Sequence, residues 1–250
     1  MIKTINNFFN KHKVLKNNLH FLLEDNDIFG NTFNKWRIKK CEKLIKHFGI
    51  KWFYKKKILE IGCGFGNVGL FFKSLGAEVH FNDARFENLN EVIKKDPEAK
   101  IYCFDCEKGK PLLEHYDLII DFGVLYNLNY WEKHLITMLN SCTHLCLDTA
   151  VNKYKNDTEF KIINYSYSEK VHGPFNNIGT LTSANNIENV FKNKFIKFIR
   201  YDDKQLNDDL IYDWQEEKYT YFTNGINTID HWRFTPHYKG HRFWITTKND

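Results

Sequence analysis

The chain has 250 residues, 42% apolar and 27% charged, the balance of an ordinary soluble globule, and a single domain with one large core is expected. No apolar window approaches the ~20 residues of a membrane span. The opening MIKTINNFFNKHK lacks a long apolar core followed by a small-residue cleavage site, so a cytoplasmic protein with no membrane partner is expected. The formal net charge of +5 admits an acidic partner, but the basic residues are spread out, and their one tight cluster, Lys55, Lys56 and Lys57, reads as the solvated entrance to a strand.

The six cysteines are expected to be reduced thiols. Cys103 and Cys106 form a C-x-x-C and Cys142 and Cys146 lie four apart, which raises a zinc site. Cys103 falls in an apolar, strand-like run, where cysteine serves as a small core residue, and no metal is expected.

In chain order, residues 1–50 read as an N-terminal helical segment. The first 30 or so are polar and weakly patterned apart from Phe8, Phe9, Phe21, Leu22 and Leu23, and predict a loose leader that docks elsewhere. From Trp36 to Phe48, the residues Trp36, Ile38, Cys41, Leu44, Ile45 and Phe48 line one helical face, and Gly49 stops the helix.

Residues 51–250 read as one domain. KILEIG predicts a buried strand, NVGLFFKSLG a helix ending at Gly76, AEVHFND a strand, and ENLNEVIKKD a helix ended by Pro97. KIYCFD and YDLIID follow as strands, YWEKHLITMLN as a helix whose Trp131 packs inward, and THLCLDTAV as a strand. Strands alternating with helices at this spacing predict an α/β fold, a parallel sheet covered on both faces.

After Val151 the pattern changes. Residues 152–181 read as a long polar loop, SANNIENVF as a helix with Ser183 as N-cap, and KFIKFIRYDD and HRFWITT as two more strands, with Arg242 opening the last as a solvated charge. The inserts at about 152–181 and 204–240 are too long for simple connectors and are where substrate contacts are sought.

Gly62, Gly64 and Gly66 stand where a strand must turn sharply into a helix and let its backbone approach a ligand. Gly64, Gly66 and Gly69 also spell G-x-G-x-x-G, which keeps an NAD(P)-binding oxidoreductase open as an alternative. Glu60, inside the first strand, argues against that alternative, because such a strand is normally apolar throughout. Asp83, ending the second strand, suits the two hydroxyls of a ribose. Asp105, closing the third, can accept from an adenine amino group.

ILEIGCGFGNVG, followed by VHFND, YCFD and YDLIIDFGVLYNL at successive strand ends, resembles the class I S-adenosylmethionine-dependent methyltransferases. The resemblance is strong over about 57–151 and looser to the end of the chain, where LCLDTAV, GTLTSANNIENVF and HRFWI resemble a small-molecule-type subgroup. It implies a Rossmann-like seven-stranded, mostly parallel sheet with helices on both faces and the last strand antiparallel. The periodic pattern also gives seven strands.

S-adenosyl-L-methionine is the cofactor so implied. The implied contacts are Gly62, Cys63, Gly64, Phe65 and Gly66 under its methionine part, Glu60 near the amino group, Asp83 on the ribose, and Asp105 with Cys106 at the adenine. Asp121, Phe122, Gly123, Val124, Leu125, Tyr126 and Asn127 are implied to flank the transferred methyl. Many relatives have His where this chain has Asn127, so Asp121, Tyr126, His172, His231 and His237 remain as catalytic candidates. Of these His172, in VHGPF, is the loop residue of first choice.

Arg233 could pair with a substrate carboxylate or phosphate. His231, His237 and His241 are too irregularly spaced for a metal set. The DFGV after the fourth strand lacks the Pro-Pro-aromatic of amino-methylating nucleic-acid enzymes. A small-molecule acceptor is therefore expected, with an RNA methyltransferase kept open by the positive charge.

Overall fold

The computed structural model describes residues 7–25, 29–30, 32–108, 112, 114–152, 160–163, 178–201, 206 and 238–248. The chain divides into two compact units, Met1–Phe104 with Tyr116–Ile120, and Asp105–His115 with Asp121–Asp250.

The first unit begins with two short helices, α1 (Asn7–Asn10) and α2 (Lys13–Asn18), and a 3-10 turn at Leu19–Leu22. The expected loose leader is instead built into a core. Phe9, Leu15 and Leu22 are fully buried, and the Phe9 ring lies 5.9 Å from that of Phe71. Its weak periodicity reflects brevity: each helix has room for one or two apolar anchors.

Helix α3 (Thr32–Phe48) closes where the Gly49 N–H donates to Ile45 O (2.8 Å), with Gly49 at φ 86°. Strand β1 (Lys57–Ile61), helix α4 (Asn67–Ser74), strand β2 (Glu78–Asp83), helix α5 (Phe86–Lys95), strand β3 (Lys100–Cys103) and strand β4 (Tyr116–Phe122) follow. β1 pairs parallel with β2 (Ile58 opposite Val79), and β2 with β3 (Asp83 opposite Cys103). α5 turns Leu89 and Val92 inward and leaves Lys94 exposed, the spacing of a half-buried helix.

One expectation in this unit needs correction. Cys103, the last residue of the edge strand β3, is exposed; Cys106, three residues on, is buried. At the lysine cluster, Lys56 is half-buried in an ion pair with Asp117 (2.8 Å), whose other oxygen accepts the Lys57 N–H (2.8 Å).

The second unit contains helix α6 (Trp131–Asn140), strand β5 (Cys142–Asn152), strands β6 (Phe160–Ile163) and β7 (Ile178–Leu181), helix α7 (Ala184–Asn193), and strands β8 (Lys197–Tyr201) and β9 (Tyr238–Thr247). The polar stretch expected to be a loop thus contributes β6 and β7, an antiparallel pair with Phe160 opposite Leu181. Ser183 caps α7 as expected, its hydroxyl accepting from Asn186 N (3.1 Å), and Trp131 is buried.

Arg242 lies within β9 and is buried, where a solvated strand opener was expected. β9 begins earlier than its apolar core suggests, so the arginine falls inside the ladder, opposite Thr149. Trp244, fully buried, donates from Nε1 to Glu188 Oε1 (3.1 Å), which also receives Arg200 Nη1 (2.9 Å).

The seven strands run β3-β2-β1-β4-β5-β9-β8, with β9 antiparallel to both of its neighbours. This is an α/β, Rossmann-like sheet, mostly parallel, in which the last strand of the chain sits one place in from the edge. The order reverses between β1 and β4, and such a reversal opens a crevice beyond the carboxyl ends of the strands, where open α/β sheets bind ligands.

Candidate functional site

In the first unit, the turn after β1 has Gly62, Gly64 and Gly66 at φ 59°, 52° and 72°. Gly64 is doubly constrained: a side chain there would be strained, and its Cβ would stand 3.0 Å from Cζ of Phe29. The turn is tied to β2 by the Cys63 N–H donating to Asn82 O (2.9 Å) and closed by the Gly66 N–H to Cys63 O (2.9 Å).

Asp83, at the tip of β2, is buried. Its Oδ2 accepts the Gly64 N–H (3.0 Å), its Oδ1 the Arg85 N–H (2.9 Å), and the Asn88 side chain adds another bond. Burial raises its pKa from the ordinary value, against the pull of those donors. A carboxylate has about four lone-pair sites, so this one fixes the turn and keeps acceptor capacity.

Glu60 points from β1 toward α4, and its Oε2 accepts the Gly69 N–H (2.8 Å). Burial pushes its pKa up to about 8; Gly69 N–H, Arg37 and Lys95 pull it down, and Asp83 pushes it further up. The third glycine of G-x-G-x-x-G has a packing role: a Cβ at Gly69 would lie 2.4 Å from Phe81 and 2.6 Å from Glu60 Oε2.

Phe65 makes an edge contact with Phe29 (4.8 Å between centroids), and Lys95 donates to Phe65 O (3.2 Å) while ion-pairing with Glu24. Phe29 and the leading segment are thus part of the turn's surroundings. Sequence reading missed this, since a lone aromatic in a polar stretch carries no periodic signal.

In the second unit, Asp105 and Cys106 are both buried where β3 gives way to a 3-10 turn, Cys106–Lys108. Asp105 Oδ1 accepts the Glu107 N–H (2.9 Å), and the Glu107 carboxylate in turn accepts the N–H groups of Asn129 (2.7 Å) and Tyr130 (2.9 Å) just before α6.

Asp121, fully buried, receives the Val124 N–H on Oδ1 (2.9 Å) and faces His134 Nε2 across 3.4 Å with Oδ2. The turn that follows is pinned by the Gly123 N–H to Asp148 O (2.8 Å) and by Asn127 Nδ2 to Gly123 O (2.8 Å). Tyr126 lies half-buried in the 3-10 turn Leu125–Asn127.

Each unit therefore assembles its own share of the expected residues. Glu60, Gly62, Cys63, Gly64, Phe65, Gly66 and Asp83 belong to the first; Asp105, Cys106, Asp121 and Tyr126 belong to the second. His172, His231, Arg233 and His237 lie outside the described residues, as does the side chain of His241. Glu107 and His134 were not foreseen. The signal for His134 was a lone imidazole among Trp131, Leu135 and Met138 on the buried face of α6.

The strand order, the glycine turn after β1 and the acid at the tip of β2 define a Rossmann-like α/β protein built around a nucleoside-bearing cofactor. Residues 33–193, well over half of the chain, match the family model described as a methyltransferase domain. The chain belongs to that family, and with this sheet it is a class I S-adenosylmethionine-dependent methyltransferase.

Among solved structures it is similar to the N-terminal domain of EvdMO1, with SAH bound (TM-score 0.58, 12% identity, covering 88% of this chain and 86% of that one). It is also similar to coclaurine N-methyltransferase bound to N-methylheliamine and SAH (0.51, 13%, 80% and 65%). A third is the 1,6-didemethyltoxoflavin-N1-methyltransferase of Burkholderia thailandensis (0.50, 11%, 86% and 78%). Identities this low speak to the fold alone. No curated protein matches the sequence.

Proposed function

We propose that the chain moves the S-methyl group of S-adenosylmethionine to a small molecule. The observation that carries the reading is the Asp83 carboxylate, buried at the tip of β2, which holds the Gly64 and Arg85 N–H groups and keeps some acceptor capacity beside a glycine-rich turn. That chemistry fits a ribose diol next to a backbone cradle.

Bound S-adenosylmethionine supplies a methyl on a sulfonium, already a good leaving group, so the protein's work is largely orientation, a contribution of about 7–11 kcal/mol at its largest. In this reading the backbone of Gly62, Cys63, Gly64, Phe65 and Gly66 lies under the methionine part. Glu60 offers its charge to the ammonium. Asp105 and Cys106 meet the adenine, and Asp121, Tyr126 and His172 serve the acceptor side. A carboxyl held near pH 8 by burial ionises more readily when a cation arrives, which favours an ammonium at Glu60.

A small acceptor is supported by the two structural neighbours whose names specify one, a coclaurine and a didemethyltoxoflavin methyltransferase. Residues 51–250 are the catalytic domain in this proposal, and 1–50 its leading helical segment. A cytoplasmic location is supported by six cysteines that are all free, five of them buried. No helix among the described residues is long and apolar enough to cross a membrane.

The test is calorimetry of the purified chain with S-adenosylhomocysteine, followed by transfer of labelled methyl into a metabolite extract. Heat of binding with label in a small product supports the reading. Label in RNA alone would replace the small acceptor with a nucleic acid, and an absence of heat would remove the cofactor assignment.

A further inference from the structure

Charge is divided unevenly along the chain. Residues 1–57 carry 14 Lys and Arg against four Asp and Glu, net +10, whereas residues 58–250 carry 22 against 27, net −5. The basic residues are scattered in sequence, and it is the fold of the first unit that links them.

The last turn of α3 is the junction. Lys46 Nζ stands 5.0 Å from the centre of the Phe8 ring in α1, and that ring lies 5.4 Å from His12, which is flanked by Lys11 and Lys13. Two residues beyond Lys46, Phe48 stacks on Trp52 (4.2 Å), and Lys56 Nζ lies 5.3 Å from the Trp52 ring. Lys55 reaches over Tyr54 (5.3 Å), whose ring is 63% exposed. Lysines and aromatic rings thus alternate from α1 to the entrance of β1, with Lys11, Lys13, Lys16, Lys46, Lys51 and Lys55 exposed. Glu42 is the one carboxylate in the sequence between residues 28 and 57, and it pairs with Lys46; Asp117 reaches in to Lys56.

We infer that this surface binds the phosphodiester backbone of a nucleic acid strand. Lysines act on phosphates as point charges and release the counterions that the strand had condensed. An acidic protein is the poorer fit, because lysine is depleted and arginine enriched at protein interfaces. An anionic membrane would draw on the same charges but also on apolar side chains set into the headgroup layer, and α3 turns Ile38, Leu44 and Ile45 inward. Rings left partly exposed beside lysines give bases a place to stack. Such binding tolerates any sequence and holds the protein beside a nucleic acid without making that strand the methyl acceptor. The inference does not depend on the methyltransferase reading.

The experiment adds the full-length protein to fluorescently labelled single strands of RNA and of DNA, each of about 20 nucleotides, and follows anisotropy from about 50 to 200 mM salt. Both strands should bind, with log K falling against log salt at a slope of about −3 to −4, the release expected for four to six neutralised phosphates on a single strand. The variant Lys11→Gln/Lys13→Gln/Lys51→Gln/Lys55→Gln should bind at least about tenfold more weakly and flatten that slope by up to about 3. Lys133→Gln/Lys192→Gln/Lys194→Gln/Lys197→Gln removes the same charge from exposed positions in the second unit and should keep the affinity within about twofold, since charges away from the contact are screened. The salt series is read on the wild type, so it holds even if a variant misfolds. Tighter binding of RNA than of DNA adds the 2′-hydroxyls to the contact and leaves the inference standing. No binding, binding indifferent to salt, or an equal loss in the two variants overturns it, as does binding to vesicles of phosphatidylserine and phosphatidylcholine with neither strand bound.

Discussion

A methyl group added at Gly69 has nowhere to go. It would press on Phe81 and Val79 and displace Glu60 Oε2 from the Gly69 N–H. Gly69→Ala should therefore destabilise the protein by about 1–3 kcal/mol, the usual cost of overpacking, seen as a lower urea midpoint at unchanged slope.

Glu60 itself predicts a pH dependence. With its pKa at about 8 in the folded chain against 4.5 as its ordinary value, the native state holds more protons than the unfolded state between those two values. Stability contributed by this group is complete below pH 4.5 and is lost as pH rises to 8, with a slope of up to about 1.4 kcal/mol per pH unit. Asp83, also raised, adds in the same direction. Glu60→Gln should flatten the fall in urea midpoint between pH 5 and pH 8, and an undiminished fall in that variant would assign it to other groups.

Glu60 and Asp83 were legible in the sequence because an acid in or at the end of an apolar run is conspicuous. The partner of Asp121 was not. His134 lies 13 positions on, and only the packing of α6 brings its ring to that carboxylate.

At the scale of the element, Glu107 acts from outside α6, giving its carboxylate to the N–H groups of Asn129 and Tyr130 at the helix start, where a negative charge is also favoured by the helix dipole. Glu107→Ala should cost about 1–3 kcal/mol and speed amide exchange at Asn129 and Tyr130 ahead of the rest of α6. Exchange in which these two amides keep wild-type protection would show that the clamp is dispensable.

Helices and central strands were readable because their apolar periods are long enough to count. β6 and β7 were not: each has four residues, among the described residues they pair only with each other, and the stretch between them is polar in sequence. That Cys103 ends an edge strand was equally hidden, since a four-residue run such as KIYC does not announce its place in a sheet. The leader's anchors, Phe9, Leu15 and Leu22, were visible as apolar residues, but their burial comes from partners such as Phe71 that lie far along the chain.

For the molecule as a whole, alternation of strand and helix was sufficient to imply a parallel sheet and family resemblance an antiparallel last strand, whereas the placement of β9 between β5 and β8 was not foreseen, since no local period encodes which neighbour a strand will choose. That topology sets the reversal between β1 and β4, the kind of place where open α/β sheets generally bind ligands. A ligand that binds the folded chain and not the unfolded one stabilises it by mass action, by about 2.7 kcal/mol at one hundred times its Kd and about 4.1 kcal/mol at one thousand times. At about 2–4 °C per kcal/mol for a chain of this size, S-adenosylhomocysteine at the lower concentration should raise Tm by roughly 5–11 °C. NADH at the same concentration should leave Tm in place, because the acid inside β1 and the adenosyl-type turn suit a cofactor without a pyrophosphate. Asp83→Asn replaces one accepting oxygen with a donor facing Gly64 or Arg85, so the variant should require at least about tenfold more S-adenosylhomocysteine for the same shift. A melting curve moved by NADH and not by S-adenosylhomocysteine would reverse the assignment of the cofactor at this glycine turn.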